Sequence, residues 1–234
     1  MRQAQESEII RLTLKIREGE TIDYGVGQDV IVIPKRDLTT GHLTWADTII
    51  TATNNTRHNI NAQMRKLLGY DGELCQGEKM IFKRNYWEDI NDDGDALVNG
   101  TIGTVSNIFE SFVDIPRYIK NDRHRIPTIV CDFNPEFGSE YPCVSIDKDY
   151  LLREECCVDW RVSYQIGKMR NRIGDILPRQ ATYGYSLTAW NAQGSEWDKG
   201  VVIEESFPFD KLEHRQFLYT AATRFSNKLV LVRN

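Results

Sequence analysis

An α/β fold interrupted by a β-rich insertion is what this 234-residue chain predicts, and three observations carry the prediction. Residues 48–69 read as a buried strand, a polar turn and an amphipathic helix, the building step of an open α/β sheet. The C-terminal stretch RQFLYTAATRFSNKLVLVR, residues 215–233, reads as a helix followed by a strand. Between about 76 and 176 the texture changes to short β-branched runs separated by turn signals. The expected organisation is therefore one domain from residues 1–75 and 177–234, with 76–176 inserted into it.

The elements follow in order. SEIIRLTLKIR, residues 7–17, places Ile9, Leu12 and Ile16 on one helical face, widened by Ile10 and Leu14, and Gly19 stops it. Ile31–Pro34 predicts a short strand. Thr48–Ala52 predicts a buried strand leading into a helix whose Ile60, Met64, Leu67 and Leu68 face inward, capped by Thr53 or Asn54 and closed by Gly69. Inside the insertion, EKMIFKRN, ALVNGTIGTVSNIF, IPTIVCDF and PCVSID predict strands, with Asn99-Gly100 and Gly103 expected in tight turns. In the C-terminal stretch, Phe217, Leu218, Ala221 and Ala222 mark the helix, which ends at Thr223-Arg224. A polar turn and a buried strand from Leu229 to Val232 are expected to follow.

Composition narrows the function classes. Hydrophobic residues make up 41% and charged residues 27%, the mixture of an ordinary globular domain. No apolar run approaches the ~20 residues needed to span a bilayer, so no membrane partner is expected. The five cysteines (Cys75, Cys131, Cys143, Cys156, Cys157) have neither disulfide-framework nor zinc spacing, which predicts a reduced, cytoplasmic setting. A net charge of −5 argues against nucleic-acid binding by bulk electrostatics alone. Local basic clusters stand at 117–125 and at Arg161, Lys168, Arg170, Arg172 and Arg179, either as grip on a strand or as solvated faces. Asp89, Asn91, Asp93 and Gly94 mimic the start of a calcium loop, but position 12 is Gly100 where a glutamate is required, so an acidic hairpin connection is expected and no metal site.

Two segments point to a specific chemistry: GYSLTAWNAQGSEWD, residues 184–198, and the helix ending at Arg224. They resemble motifs V and VI of superfamily 1 helicases, in particular the RecD-like and Dda-like branch. RQAQESEIIRLTLKIREGE at the start resembles the segment after motif III, TATNNTRHNIN the family's strand-to-helix element, and GEKMIFKRN with LVNGTIGTV its inserted SH3-like barrel. The resemblance implies a RecA-like second motor lobe (2A) carrying a small SH3-like β-barrel (2B). It covers 1–70, 76–107 and 180–234 well and 108–179 poorly. No G-x-x-x-x-G-K-[ST] sequence is present, nor any recognised strand ending in an acidic pair for magnesium. The expectation is a lobe of a longer ATP-dependent DNA helicase, inactive as an ATPase by itself.

The resemblance assigns roles residue by residue. Arg224 would be the arginine finger that neutralises charge on the γ-phosphate of ATP, held with Mg2+ mainly by the missing N-terminal lobe. The plain alternative is an arginine capping helix carbonyls. Arg2 would be a second γ-phosphate contact. Gln193, Gly194 and Glu196 would contact the nucleotide, and Thr188 a DNA phosphate. Trp190 and Asn191 stand where the family has His-Lys; the indole either stacks on a base or packs in an apolar helix. Thr53, Asn54 and Arg57 lie at a helix N-terminus, where N–H groups favour a phosphate, although capping alone accounts for Asn54. The implied partners are single-stranded DNA, traversed 5′ to 3′, the N-terminal helicase lobe, and nuclease or replication and recombination proteins. The competing expectation is a non-enzymatic DNA- or protein-binding module derived from such a lobe.

Overall fold

The computed structural model describes residues 7–119, 124–154, 158, 160–173 and 176–234, so Arg2 lies outside the described residues. Two compact units emerge, Met1–Gly69 with Tyr185–Asn234, and Tyr70–Gly184. The junctions fall at 69/70 and 184/185, where the sequence expectation put them at 75/76 and 176/177.

Along the first unit come α1 (Glu8–Glu18), β1 (Gly25–Val26), β2 (Val30–Pro34), α2 (Thr40–Trp45), β3 (Thr48–Thr51) and α3 (Asn54–Leu67). Helix α1 buries Ile9, Leu12, Thr13 and Ile16 and ends at Gly19, whose φ of 75° is the left-handed conformation a helix C-cap uses. The Glu8 carboxylate reaches forward to accept the Asp29 N–H at 2.7 Å and the Val30 N–H at 3.0 Å, fixing where β2 begins. Helix α3 starts from the Thr53 hydroxyl, which accepts the Thr56 N–H at 3.3 Å. Its buried face is Arg57, Ile60, Asn61 and Met64. Leu67 and Leu68, expected to face inward, are exposed instead, at the end of the helix where Leu67 is its last residue and Leu68 its cap.

The second unit is β4 (Lys79–Phe82), β5 (Tyr86–Ile90), β6 (Ala96–Leu97), β7 (Ile102–Asp114), β8 (Arg125–Pro135), β9 (Tyr141–Asp147), α4 (Lys148–Arg153), α5 (Trp160–Ile173) and β10 (Ala181–Tyr183). A five-stranded antiparallel sheet runs in the order β10-β4-β7-β8-β9, and β5 pairs with β6. Met80, Phe82, Val105, Ile129, Phe133 and Ile146 are among the residues filling its core. A smaller cluster, including Ile115, Ile126, Val162 and Ile166, joins α5 to the far end of the β7–β8 hairpin. The acidic stretch 91–95 is the β5–β6 connection, as expected. Gly103 is not in a turn: it lies inside β7, where a Cβ would come within 2.1 Å of the Asn134 carbonyl oxygen. The basic residues here carry structural duties. Arg179 forks onto Asp89 at 2.5 and 2.7 Å beside the Tyr86 ring, and Arg125 pairs with Asp114 while covering Phe112.

The chain then completes the first unit with β11 (Ser186–Thr188), β12 (Trp197–Ile203), α6 (Lys211–Ala222) and β13 (Phe225–Arg233). The sheet order is β1-β2-β13-β12-β3-β11, parallel throughout except for the antiparallel β1. Ile49, Ile50, Leu187, Val201, Val202, Val230 and Leu231 form its buried interior, the near-continuous apolar runs of a sheet covered on both faces. The polar turn before the last strand is shorter and earlier than expected: Thr223-Arg224 form it, β13 starts at Phe225, and the Ser226 hydroxyl donates to the Trp197 carbonyl at 3.3 Å, so the polar residues at 226–228 are accommodated inside the strand. Gly200 permits the close packing here, since a Cβ on it would meet the Phe225 ring at 2.0 Å. Among the described residues no helix is long and apolar enough to cross a membrane.

Candidate nucleotide and nucleic-acid edges

Because β11, β3, β12 and β13 are parallel, their ends define two opposite edges of one sheet, and ligands of open α/β sheets gather outside the carboxyl ends. At that carboxyl edge, Thr188 aligns with Thr51 across the β11–β3 pair, and Val202 aligns with Ile50 across β12–β3. Thr188, Ala52–Asn54 and Glu204–Glu205 therefore sit side by side. The amino edge carries the starts of β12 and β13, where Trp197 pairs with Phe225 and the Trp197 N–H donates to the Arg224 carbonyl at 2.8 Å.

The segment from Thr188 to Trp197 crosses from one edge to the other. Its turn is held by Ala192 N–H to Thr188 O at 3.0 Å and by Asn191 N–H to Thr188 Oγ1 at 3.4 Å. Gly194 has a φ of 88°, a left-handed conformation that costs a glycine little. Gln193 and Glu196 are exposed, and Thr188 is buried with its hydroxyl used in the turn. Trp190 is 80% exposed and lies in a turn, which removes the core-helix alternative for it.

Arg224 follows α6 at the amino edge, half-buried. Its Nε donates to the Thr220 carbonyl at 3.2 Å, Nη1 to the Ser195 carbonyl at 3.3 Å and Nη2 to the Thr223 hydroxyl at 3.2 Å. The helix-capping contact is thus present, and so is a bond to the crossing loop. The guanidinium, always charged and planar, is thereby fixed to the loop that also carries the exposed Gln193 and Glu196. No group of acidic, histidine or cysteine residues able to hold a metal ion occurs among the described residues.

The helix α3 N-terminus is already occupied. Glu205 accepts from the Ala52 and Thr53 N–H groups and from the hydroxyls of Thr53, at 2.8 Å, and Thr56. A carboxylate at this end is favoured by the orphan N–H groups and the helix dipole. Arg57, 1% exposed, turns inward and donates from Nε to the Asn54 side chain at 3.2 Å, with Nη2 3.3 Å from His58 Nε2. Thr53 is thus committed to an internal carboxylate, and Arg57 to Asn54 beside it.

β12 runs directly into Glu204-Glu205, so a strand does end in an acidic pair. Neither carboxylate stands open for magnesium. Glu204 is buried and accepts from Arg233 Nε at 2.8 Å, with His214 Nε2 3.6 Å away, while Glu205 caps α3.

No curated protein matches the chain. Among solved structures, Pif1 helicase from Candida albicans shares 16% identity at a TM-score of 0.49, over 99% of this chain and 55% of that one. Pif1 from Bacteroides, in complex with ADP-AlF3 and ssDNA, shares 13% at 0.49, over 99% and 50%. Unliganded Pif1 from Bacteroides sp. shares 12% at 0.46, over 99% and 50%. The chain spans about half the length of these helicases. At the level of sequence families, residues 183–232 match the UvrD-like helicase C-terminal domain, a stretch that contains Thr188, Trp190, Asn191, Gln193, Gly194, Glu196 and Arg224.

Proposed function

We propose that this chain is the C-terminal motor region of an ATP-dependent DNA helicase that moves 5′ to 3′ along single-stranded DNA. One observation carries the reading: the helicase match over 183–232 spans the loop that crosses the sheet and the arginine bonded to it. In this reading the first unit is the RecA-like lobe and the second an SH3-like insertion that guides the strand. Mg2+-ATP is bound mainly by an N-terminal lobe bearing the phosphate-binding loop. Arg224, with Arg2, meets the γ-phosphate when the lobes close, and Gln193, Gly194 and Glu196 contact the nucleotide. Single-stranded DNA lies along the carboxyl edge, against the exposed Asn54 and Trp190 and against Asn191, with Thr53, Arg57 and Thr188 holding the turns beneath it.

The chemistry asked of this chain is positioning and charge stabilisation, the terms that dominate phosphoryl transfer. An arginine tethered to a loop whose other end lies at the DNA edge gives hydrolysis a short covalent path to the strand. Streptavidin displacement from end-biotinylated oligonucleotides, by the polypeptide that joins this chain to a phosphate-binding-loop lobe, tests the reading. ATP-dependent displacement from the 3′ end supports it. DNA binding with no displacement from either end favours a binding module instead.

A further inference from the structure

Just beyond the Glu204-Glu205 pair, the chain places two phenylalanines in water. Phe209 is 84% exposed and Phe207 46%, with ring centroids 5.7 Å apart at an interplanar angle of 88°. Rings left out of a core are ordinary on a mobile loop, but this segment is tied at both ends. On one side the Glu205 carboxylate is bonded to Ala52, Thr53 and Thr56, and the Glu205 carbonyl lies 3.0 Å from His214 Nε2. On the other, the Asp210 side chain accepts the Leu212 N–H at 2.8 Å and the Glu213 N–H at 3.1 Å, starting α6. The rings are held out rather than left out.

Their position gives them a partner. They follow β12 at the carboxyl edge, beside β3 with its Thr53-Asn54 turn, and Trp190 follows β11 on the other side of β3. Neighbouring strands are about 4.8 Å apart, so β11 and β12 stand about 10 Å apart with the exposed Asn54 after β3 between them. Aromatic rings thus flank β3 on both sides along one edge, where successive bases of a single strand could stack. Of the nearby carboxylates, Glu204 is paired with Arg233, while Glu205 and Asp210 accept from neutral backbone and hydroxyl donors.

We propose that Phe207 and Phe209 form a base-stacking platform for single-stranded DNA, extending the strand's path from Trp190 across β3 to the loop before α6. The proposal rests on the helicase-lobe reading for the identity of the strand. Base–aromatic stacking is sequence-tolerant, as a translocating protein requires, and losing one stack weakens binding by roughly 5- to 100-fold.

The test is fluorescence anisotropy of labelled oligothymidine, together with the emission of 2-aminopurine oligonucleotides, for the chain and for Phe207→Ala, Phe209→Ala and Phe209→Tyr. The alanine variants should bind about tenfold or more weakly and leave 2-aminopurine less quenched. The salt dependence should keep its slope, since no phosphate contact is lost. Phe209→Tyr should retain wild-type affinity, which separates stacking from a structural role. Wild-type affinity and quenching in both alanine variants overturn the stacking platform while leaving the helicase-lobe reading standing. If the unaltered chain fails to bind single-stranded DNA, the stacking platform is overturned, and the helicase-lobe reading is decided separately by streptavidin displacement with the joined polypeptide.

Discussion

Arg224 donates from Nη1 to the carbonyl of Ser195 at 3.3 Å, so the arginine after α6 is bonded to the loop that leaves Thr188 on the opposite edge of the sheet. Gly194 stands in that loop with a φ of 88° and no atom within 4 Å of where a Cβ would stand. Gly194→Ala should therefore meet no clash, cost about 1 kcal/mol in backbone strain, and shift the loop away from Arg224. If the proposed reading holds, the polypeptide joining this chain to a phosphate-binding-loop lobe is expected to show reduced stimulation of ATP hydrolysis by DNA with basal turnover less affected, read from steady-state rates with and without oligothymidine.

Glu205 binds the strand β12 to the helix α3 through donors from Ala52, Thr53 and Thr56. Removing the carboxylate leaves those donors with one acceptor fewer. Glu205→Ala is expected to lower stability by about 2 kcal/mol, seen as a lower urea midpoint, whereas Phe209→Ala a few residues on should leave that midpoint unchanged.

The Glu8 carboxyl is held below its ordinary range by the N–H groups of Asp29 and Val30, with Gln28 adding to the effect. A depressed folded-state value means that its contribution is fully present above the unfolded value, near 4.5, and is lost as the pH falls through the lower folded value. Glu8→Gln should flatten this acid limb, so that wild type and variant converge in stability at low pH and separate above about pH 5. Thermal melts from pH 3 to 7 make the comparison.

Cysteine reactivity should divide along burial. Desolvation, with the Asp132 charge adding to it, pushes the Cys131 thiol up to about 12, while Cys143 is exposed. At pH 8, iodoacetamide should modify Cys143 in the folded protein and reach Cys131 only on unfolding, since the thiolate is the reacting species. Peptide mass spectrometry of protein labelled with and without urea checks this.

What the sequence made legible was whatever depends on local pattern. The 3.6-residue spacing of Ile9, Leu12 and Ile16, and of Phe217, Leu218, Ala221 and Ala222, placed α1 and α6, and the Thr53 cap and the turn at Gly100 follow from side-chain chemistry within a few residues. What escaped depends on distant partners. Glu205 meets α3 across about 150 residues of chain, so a phosphate was expected at a helix N-terminus that a carboxylate fills. Gly103 looked like a turn residue because the Asn134 carbonyl that forbids a side chain there comes from another strand. Ser226 and Asn227 looked like a turn because polarity hides their place in β13, where parallel pairing with β12 sets the conformation.

The central claim is that Arg224 completes an ATP site supplied by another lobe, and ATP hydrolysis measures it most directly. This chain alone and the polypeptide joining it to a phosphate-binding-loop lobe would each be assayed with and without single-stranded DNA, the latter also as Arg224→Ala. The account predicts no turnover by the chain, DNA-stimulated turnover by the longer form, and a loss of about 10³-fold or more in kcat for the variant. DNA-stimulated turnover that survives Arg224→Ala undiminished would contradict it.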